Sequence, residues 1–287
     1  MNATAFAYHR PVDVQEAIAL LTEHGENAKL IAGGHSLLPI MKLRLAEPEQ
    51  LIDIARIPAL QGVASSGNGV TIGAMTTHRE VANDARIGRA APVLAATASR
   101  IGDRQVRNRG TIGGALAHAD AAADYPAAIL ALEATIVAQG PNGERTIAAG
   151  DFFVDFLTTA LEPNEVLTRV EIAGDTAEHG WSYQKLANQA SGYALVGIAA
   201  LVAKDSAGKI ADIRVGVTGA AAVPWRAAAV EAALRGQEAT AEAITAAAAQ
   251  VDGGVDILDD LHASEEYRRR VTRGLTQRAI QEALSRA

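Results

Sequence analysis

The sequence predicts an α+β protein with two domains of different character. Its 287 residues exceed the usual size of one domain, and 49% of them are hydrophobic, which is enough to bury a substantial core. Short strand-like runs alternate with helical patterns before residue 175, whereas longer strand-like runs precede helical patterns after it. We therefore predict domains at 1–175 and 176–287, with the first divided into units 1–55 and 56–175.

The first domain is predicted to consist of two small α+β units. In the first unit, strands at 3–9, 29–32 and 51–54 surround a helix that starts at Pro11 and stops at Gly25. In the second unit, strands are predicted at 70–73, 111–114, 135–138, 145–148 and 165–172, and helices at 77–83, 92–101 and 125–132.

The second domain is predicted to be a three-stranded antiparallel sheet with a helical bundle. It follows a polar linker at 174–180. Its strands are expected at 181–186, 194–203 and 210–217, and its helices at 225–234, 239–251 and 264–285.

The composition excludes several classes of function. The net charge of −7 makes nucleic acid an unexpected partner. The chain has no cysteine and so cannot ligate an iron–sulfur cluster through thiolates. There is no secretory signal pattern and no apolar run long enough to span a bilayer. We therefore expect no membrane span and a cytoplasmic location.

Two glycine pairs are the main candidates for a ligand site. Each is predicted to follow a strand, where glycines allow positive φ and let consecutive N–H groups form an anion-binding nest. Neither pair fits a G-x-G-x-x-G fingerprint or a P-loop, so a diphosphate would be held by a different architecture. An ordinary tight turn is the alternative for the first. The two segments comprise Ala32, Gly33, Gly34, His35, Ser36 and Leu37, and Thr111, Ile112, Gly113, Gly114 and Ala115.

Three further groups of residues are weaker candidates. His118 and Asp120 with Asp124 have a spacing that could ligate a metal, but a polar loop is favoured, in which Asp124 caps a helix or accepts hydrogen bonds from a ribose or adenine. The arginines within 100–109 favour a solvated or subunit-docking face over nucleic acid. Tyr193 could present its ring to a planar cofactor, although a core or interface position is favoured.

The two glycine segments closely resemble those of a known family. The runs 31–39 (IAGGHSLLP) and 107–120 (RNRGTIGGALAHAD) are similar to the FAD-binding medium subunits of three-subunit molybdenum hydroxylases. The resemblance covers essentially the whole chain. It implies an N-terminal FAD-binding fold shared with vanillyl-alcohol oxidase and p-cresol methylhydroxylase, followed by the flavoprotein C-terminal domain. Departures occur at His35, Ala115 and Ala121, where glutamine, asparagine or serine, and proline respectively are commoner.

The resemblance also implies roles for individual residues. It places the two glycine segments at the pyrophosphate and Asp124 on the adenosine side. It places Ile101, Leu167, Lys185 and, in some members, Tyr193 near the isoalloxazine.

The function implied is electron relay within a larger complex. Substrate would be oxidised at a molybdenum cofactor in a large partner, and electrons would pass through two [2Fe–2S] clusters in a small partner to FAD in this chain. An external acceptor would take them, and the assembly would be a dimer of heterotrimers. The sequence nominates no general base and so offers no catalytic residue. A self-contained flavin-dependent reductase of the same fold and a cofactor-free scaffold subunit remain the alternatives.

Overall fold

The computed structural model describes residues 2–287 and contains three main sheets with helices packed against them. Two sheets lie before residue 175 and one after it. A separate two-stranded hairpin also belongs to the first part. The α+β fold class predicted from the sequence is confirmed.

The first unit is a small parallel sheet with strand order β1-β3-β2. Helix α1 begins at Val14 because the Asp13 carboxylate accepts the N–H of Glu16 at 2.8 Å. The apolar face of this helix is buried. The short helix α2 was not predicted. The elements are β1 (Ala7–His9), α1 (Val14–His24), a 3₁₀ turn (Gly25–Asn27), β2 (Ala28–Ile31), α2 (Leu37–Lys42), β3 (Gln50–Asp53) and a 3₁₀ turn (Pro58–Leu60).

The second unit has an antiparallel sheet with strand order β4-β5-β10-β6-β7. The predicted hairpin around 140–143 is confirmed, since Gly140 pairs with Gly143. Helices α5, α7 and α8 cover one face and share its buried core. The elements are β4 (Val63–Ser66), β5 (Gly69–Gly73), α3 (His78–Asn83), α4 (Ala85–Ala90), α5 (Pro92–Ser99), α6 (Arg104–Arg107), α7 (Ile112–His118), α8 (Tyr125–Ala131), β6 (Thr135–Gly140), β7 (Gly143–Ala148), α9 (Ala149–Phe152), β8 (Phe153–Asp155), β9 (Thr158–Thr159) and β10 (Val166–Ile172).

The strand predicted at 111–114 is wrong. Thr111 makes an isolated bridge with Thr77, and helix α7 starts at the next residue. The Thr111 hydroxyl accepts the N–H of Gly114 at 3.2 Å, which makes Thr111 the N-cap of that helix. The β-branched pair Thr-Ile imitates a strand end in sequence, but the hydroxyl satisfies a helix N-terminus instead.

The last part of the chain is an antiparallel sheet with strand order β11-β12-β13-β14. The predicted three strands are all present, but a fourth joins them because Trp225 and Arg226 pair with Val217 and Gly216 instead of opening a helix. Helices α10, α11 and α12 cover one face. The elements are a 3₁₀ turn (Gly174–Thr176), β11 (Gly180–Ala187), β12 (Ala194–Lys204), β13 (Ile210–Thr218), β14 (Trp225–Arg226), α10 (Ala228–Leu234), α11 (Ala241–Ala248) and α12 (Glu265–Leu284).

The C-terminal sheet holds the loop between α7 and α8, which we call the junction loop (residues 119–124). The Thr218 hydroxyl hydrogen-bonds to Ala121 O at 3.0 Å and Ala123 O at 2.8 Å. The N–H of Ala194 donates to Ala122 O at 3.0 Å. The conformation of this loop therefore depends on residues from both parts of the chain.

Candidate functional site

A cleft of about 530 Å³ lies between the first unit, the second unit and the loop at 188–193. It brings together most of the residues nominated from the sequence, although these are far apart in the chain. Ile112 and Lys185 do not line it. Those that do are Ala32, Gly33, Gly34, His35, Ser36, Leu37, Ile101, Thr111, Gly113, Gly114, Ala115, Asp124, Leu167 and Tyr193.

The first glycine segment, residues 33–37, forms what we call the open glycine turn. Its five consecutive backbone N–H groups have no acceptor among residues 2–287. Gly34 has a φ of 74°, a left-handed conformation that glycine adopts without strain. Consecutive free N–H groups around such a residue form a concave anion-binding nest. The turn is therefore equipped to bind a negatively charged group in the cleft.

The second glycine segment, residues 111–115, is different, and we call it the capped glycine segment. Its N–H groups at 112–115 donate within the chain to Thr76 O at 3.0 Å, Ala74 O at 2.8 Å, Thr111 Oγ1 at 3.2 Å and Thr111 O at 3.0 Å. Ile112 is fully buried in the core. The segment thus presents glycine surface to the cleft and no free row of N–H donors.

Glycine lets the walls of the cleft approach closely. A Cβ on Gly33 would lie 2.2 Å from Arg109 O and 2.8 Å from Gly110 Cα. A Cβ on Gly113 would lie 2.5 Å from the Cβ of Ala74. All three distances are shorter than van der Waals contact allows. Gly33 therefore joins the open turn to the residues just before the capped segment.

A buried ion pair lies behind the junction loop. Lys185 Nζ is 2.7 Å from Asp124 Oδ1 and donates to Arg100 O at 3.1 Å, and the Tyr183 hydroxyl donates to the same carboxylate at 2.6 Å. Burial raises the pKa of Asp124, while Lys185 and Tyr183 oppose that rise. Asp124 lines the cleft, whereas Lys185, with 2% of its side chain exposed, reaches it only through this pair. A position for Lys185 near an isoalloxazine stays a prediction.

The mouth of the cleft is formed by two loops that meet. Gly192 faces Gly102, and a Cβ on Gly192 would be 3.6 Å from the Cα of Gly102. Arg107 donates to Ile101 O at 2.8 Å and to Gly102 O at 3.0 Å, so this arginine shapes the backbone beside the cleft. Tyr193 is 41% exposed at the same mouth.

His78 is the main cleft residue that the sequence reasoning missed. It is 4% exposed, it lines the cleft, and its Nδ1 lies 3.1 Å from the hydroxyl of Tyr125. Burial, with smaller contributions from His35 and Arg107, lowers the pKa of His78 to about 4. The capping-box pattern of Thr77 and Glu80 marks the start of helix α3 in the sequence, but it does not show that the ring of His78 faces the cleft.

Two family models together match most of the chain. Residues 4–173 match the FAD binding domain in molybdopterin dehydrogenase. Residues 181–283 match the CO dehydrogenase flavoprotein C-terminal domain. The chain belongs to the FAD-binding medium subunits of the molybdenum hydroxylases.

Individual relatives of this family are similar along their full length. The medium chain of carbon monoxide dehydrogenase from Hydrogenophaga pseudoflava is 41% identical over 98% of each chain. The medium subunit of nicotine 6-hydroxylase from Paenarthrobacter nicotinovorans is 36% identical over 100% of each chain. A solved structure of the Hydrogenophaga carbon monoxide dehydrogenase superposes with a TM-score of 0.97 at 43% identity, covering 100% of both chains. The predicted family and its two-part fold are therefore confirmed.

Proposed function

We propose that this chain is the FAD-carrying electron-transfer subunit of a molybdenum hydroxylase complex. FAD would accept electrons from the [2Fe–2S] clusters of a small partner and pass them to an external acceptor, while substrate is oxidised at a molybdenum cofactor in a large partner. The medium-chain names of the relatives and the Cu,Mo-CO dehydrogenase among the solved structures support this division of labour. A dimer of heterotrimers in the cytoplasm is part of the same proposal.

The residues of the cleft fit FAD. The observation that carries this assignment is the row of free N–H groups at 33–37. An anionic group such as a pyrophosphate can accept hydrogen bonds from several of these N–H groups at once. The glycines beside it leave room for close approach of the ligand. Apolar side chains such as Ile101 and Leu167 supply the contact that a planar ring system requires.

The chain's own contribution is to bind, orient and shield. The open glycine turn would hold the diphosphate and so fix the position of the dinucleotide along the cleft. Asp124, kept in place by Lys185 and Tyr183, offers a carboxylate to a hydroxyl or amino group of the ligand. The loop at 188–193 limits solvent access at the mouth.

Among the residues that the structure describes, no helix is both long enough and apolar enough to cross a bilayer.

The first test is an absorption spectrum of the purified chain, recorded before and after addition of FAD, and of any assembly that co-purifies with it. Visible flavin absorption bands, with FAD released on denaturation, are the expected result. Reduction of this flavin only when the partner subunits and substrate are present would support the relay. Flavin reduction by substrate in the isolated chain would favour a self-contained reductase. A chain and assembly that are both colourless would overturn the proposal and favour a scaffold.

A further inference from the structure

His78 is a buried polar side chain whose second ring nitrogen has no partner. Its Nδ1 faces the Tyr125 hydroxyl at 3.1 Å, whereas Nε2 has no hydrogen-bond partner among residues 2–287. The Nε2 atom is not fully enclosed by protein, and His78 lines the cleft. Nε2 is therefore open to the space that the ligand would occupy.

The hydrogen bond to Tyr125 determines which nitrogen carries the proton. Tyr125 is fully buried, burial raises the pKa of its hydroxyl well above the ordinary value, and the hydroxyl hydrogen is therefore retained. Its one hydrogen-bond partner among the described residues is His78 Nδ1. If Nδ1 carried the imidazole proton, the buried hydroxyl hydrogen would have no acceptor, which is unfavourable. Tyr125 therefore donates to Nδ1, and the proton of the neutral ring is on Nε2.

The surroundings of Nε2 suit an anion. A Cβ on Gly110 would lie 2.5 Å from Nε2, and Gly110 itself is the residue against which Gly33 packs. The imidazole thus shares a wall with the open glycine turn. His35 and Arg107 are close enough to His78 to disfavour a second positive charge there. A neutral N–H donor within a positive environment can bind a phosphate oxygen without carrying charge itself.

We infer that His78 is a further binding residue for the cofactor, and that its Nε2–H donates to the diphosphate held by the open glycine turn. Tyr125 is the positioning residue that fixes the donor tautomer. This inference rests on the proposed function. It adds a side-chain donor, from helix α3, to a site otherwise built from backbone N–H groups.

The test compares two variants of equal chain length. His78→Gln retains an N–H donor near the position of Nε2, whereas His78→Met fills similar volume without a donor. FAD affinity is measured on the full flavin-free chain by flavin fluorescence, with inorganic pyrophosphate as a competitor. We expect the Gln variant to bind FAD within about threefold of the unsubstituted chain and the Met variant to bind about tenfold more weakly. The affinity for pyrophosphate should decrease by the same factor in the Met variant.

The outcomes separate this inference from the proposed function. If the unsubstituted chain and its assembly bind no FAD, the proposed function fails. If FAD binds but the Gln and Met variants are equal, or pyrophosphate does not compete, the role of His78 is wrong.

A second measurement needs no substitution and covers the case in which the Met variant does not fold. In the chain labelled with ¹⁵N-histidine, one imidazole Nε2–H protected from solvent exchange should shift when pyrophosphate is added. The absence of any such shift would overturn the inference.

Discussion

The open glycine turn and the capped glycine segment contain the same glycine pair but use it differently. In the open turn, five consecutive N–H groups at 33–37 have no acceptor within the described chain. In the capped segment, the N–H groups at 112–115 are all taken by carbonyls or by the Thr111 hydroxyl. The first pair thus presents free N–H donors to the cleft, whereas the second leaves space beside it without offering such donors.

The cause of the difference is the structure that follows each pair. After Gly34, at a φ of 74°, the chain makes a further turn before a helix begins. Gly113 and Gly114 already lie inside helix α7, with Thr111 as the N-cap. A glycine pair therefore indicates close approach in both cases, whereas donor capacity depends on whether a helix has already started.

The largest expected effect comes from removing the ion pair that holds the junction loop beside the capped segment. Lys185→Met leaves the Asp124 carboxylate buried without its cation, and we expect a loss of about 3–5 kcal/mol in the free energy of unfolding. Chemical denaturation measures it. Adding Asp124→Asn to Lys185→Met should recover part of the loss, because an amide oxygen still accepts from Tyr183. Lys209→Met, at an exposed site, is the control; equal losses for both lysines would contradict the assignment.

The second effect is a pH dependence that originates at His78, beside the wall shared by the two segments. Its pKa is lowered to about 4 in the folded chain, so between pH 6.5 and 4 the unfolded chain binds a proton that the folded chain does not. The contribution of His78 to the free energy of unfolding is fully present above about pH 6.5. It decreases by about 3 kcal/mol as the pH falls towards 4. Unfolding measured from pH 7 to 4.5 should show a shallower slope in His78→Gln. An unchanged slope would exclude His78 as the source.

The third prediction concerns the contact between the open turn and Gly110. Gly33→Ala places a methyl group 2.2 Å from Arg109 O, so the backbone must shift. We expect a loss of about 2 kcal/mol in stability and at least tenfold weaker FAD binding. Gly88→Ala is the matched control, since a Cβ there meets nothing within 4 Å and lies in helix α4. It should be neutral or stabilising by up to about 1 kcal/mol; similar losses at both glycines would argue against the close-packing explanation.

The smallest expected effect tests the cap itself. Thr111→Val keeps the shape but removes the hydroxyl that accepts the Gly114 N–H at 3.2 Å. We expect a loss of about 1 kcal/mol in unfolding free energy, measured by thermal unfolding. Thr111→Ser, which keeps the hydroxyl, should lose less. FAD affinity should change far less than in Gly33→Ala, and a larger change would mean that the capped segment supplies donors after all.

The sequence predicted the open turn because a glycine pair after an apolar strand is a local signal. The cleft residues Ile101 and Leu167, by contrast, were nominated only through the resemblance to the family. The sequence did not reveal the N-cap at Thr111, although a threonine before an apolar run that continues at helical spacing is consistent with a helix start. The β-branched pair at Thr111 and Ile112 outweighed that pattern. Local propensity alone did not distinguish a strand end from a helix N-terminus.

The sequence could not reveal the partners of the cleft residues that come from distant parts of the chain. Lys185 and Asp124 are brought together only when the C-terminal sheet packs on the second unit. The single histidine of α3 carries no pattern that marks its ring as facing a cleft. The short strand β14 was also unpredictable, because Trp225 and Arg226 are extended only through pairing with β13.

The junction loop also has a consequence for biosynthesis. Its carbonyls at Ala121 and Ala123 are bonded by the Thr218 hydroxyl, which lies 97 and 95 residues later in the chain. A ribosome adds about 5–20 residues per second, so this loop leaves the exit tunnel several seconds before its hydrogen-bond partners. The open glycine turn can form with the first unit, but the wall that carries Asp124 is completed only after Thr218 has also been synthesised.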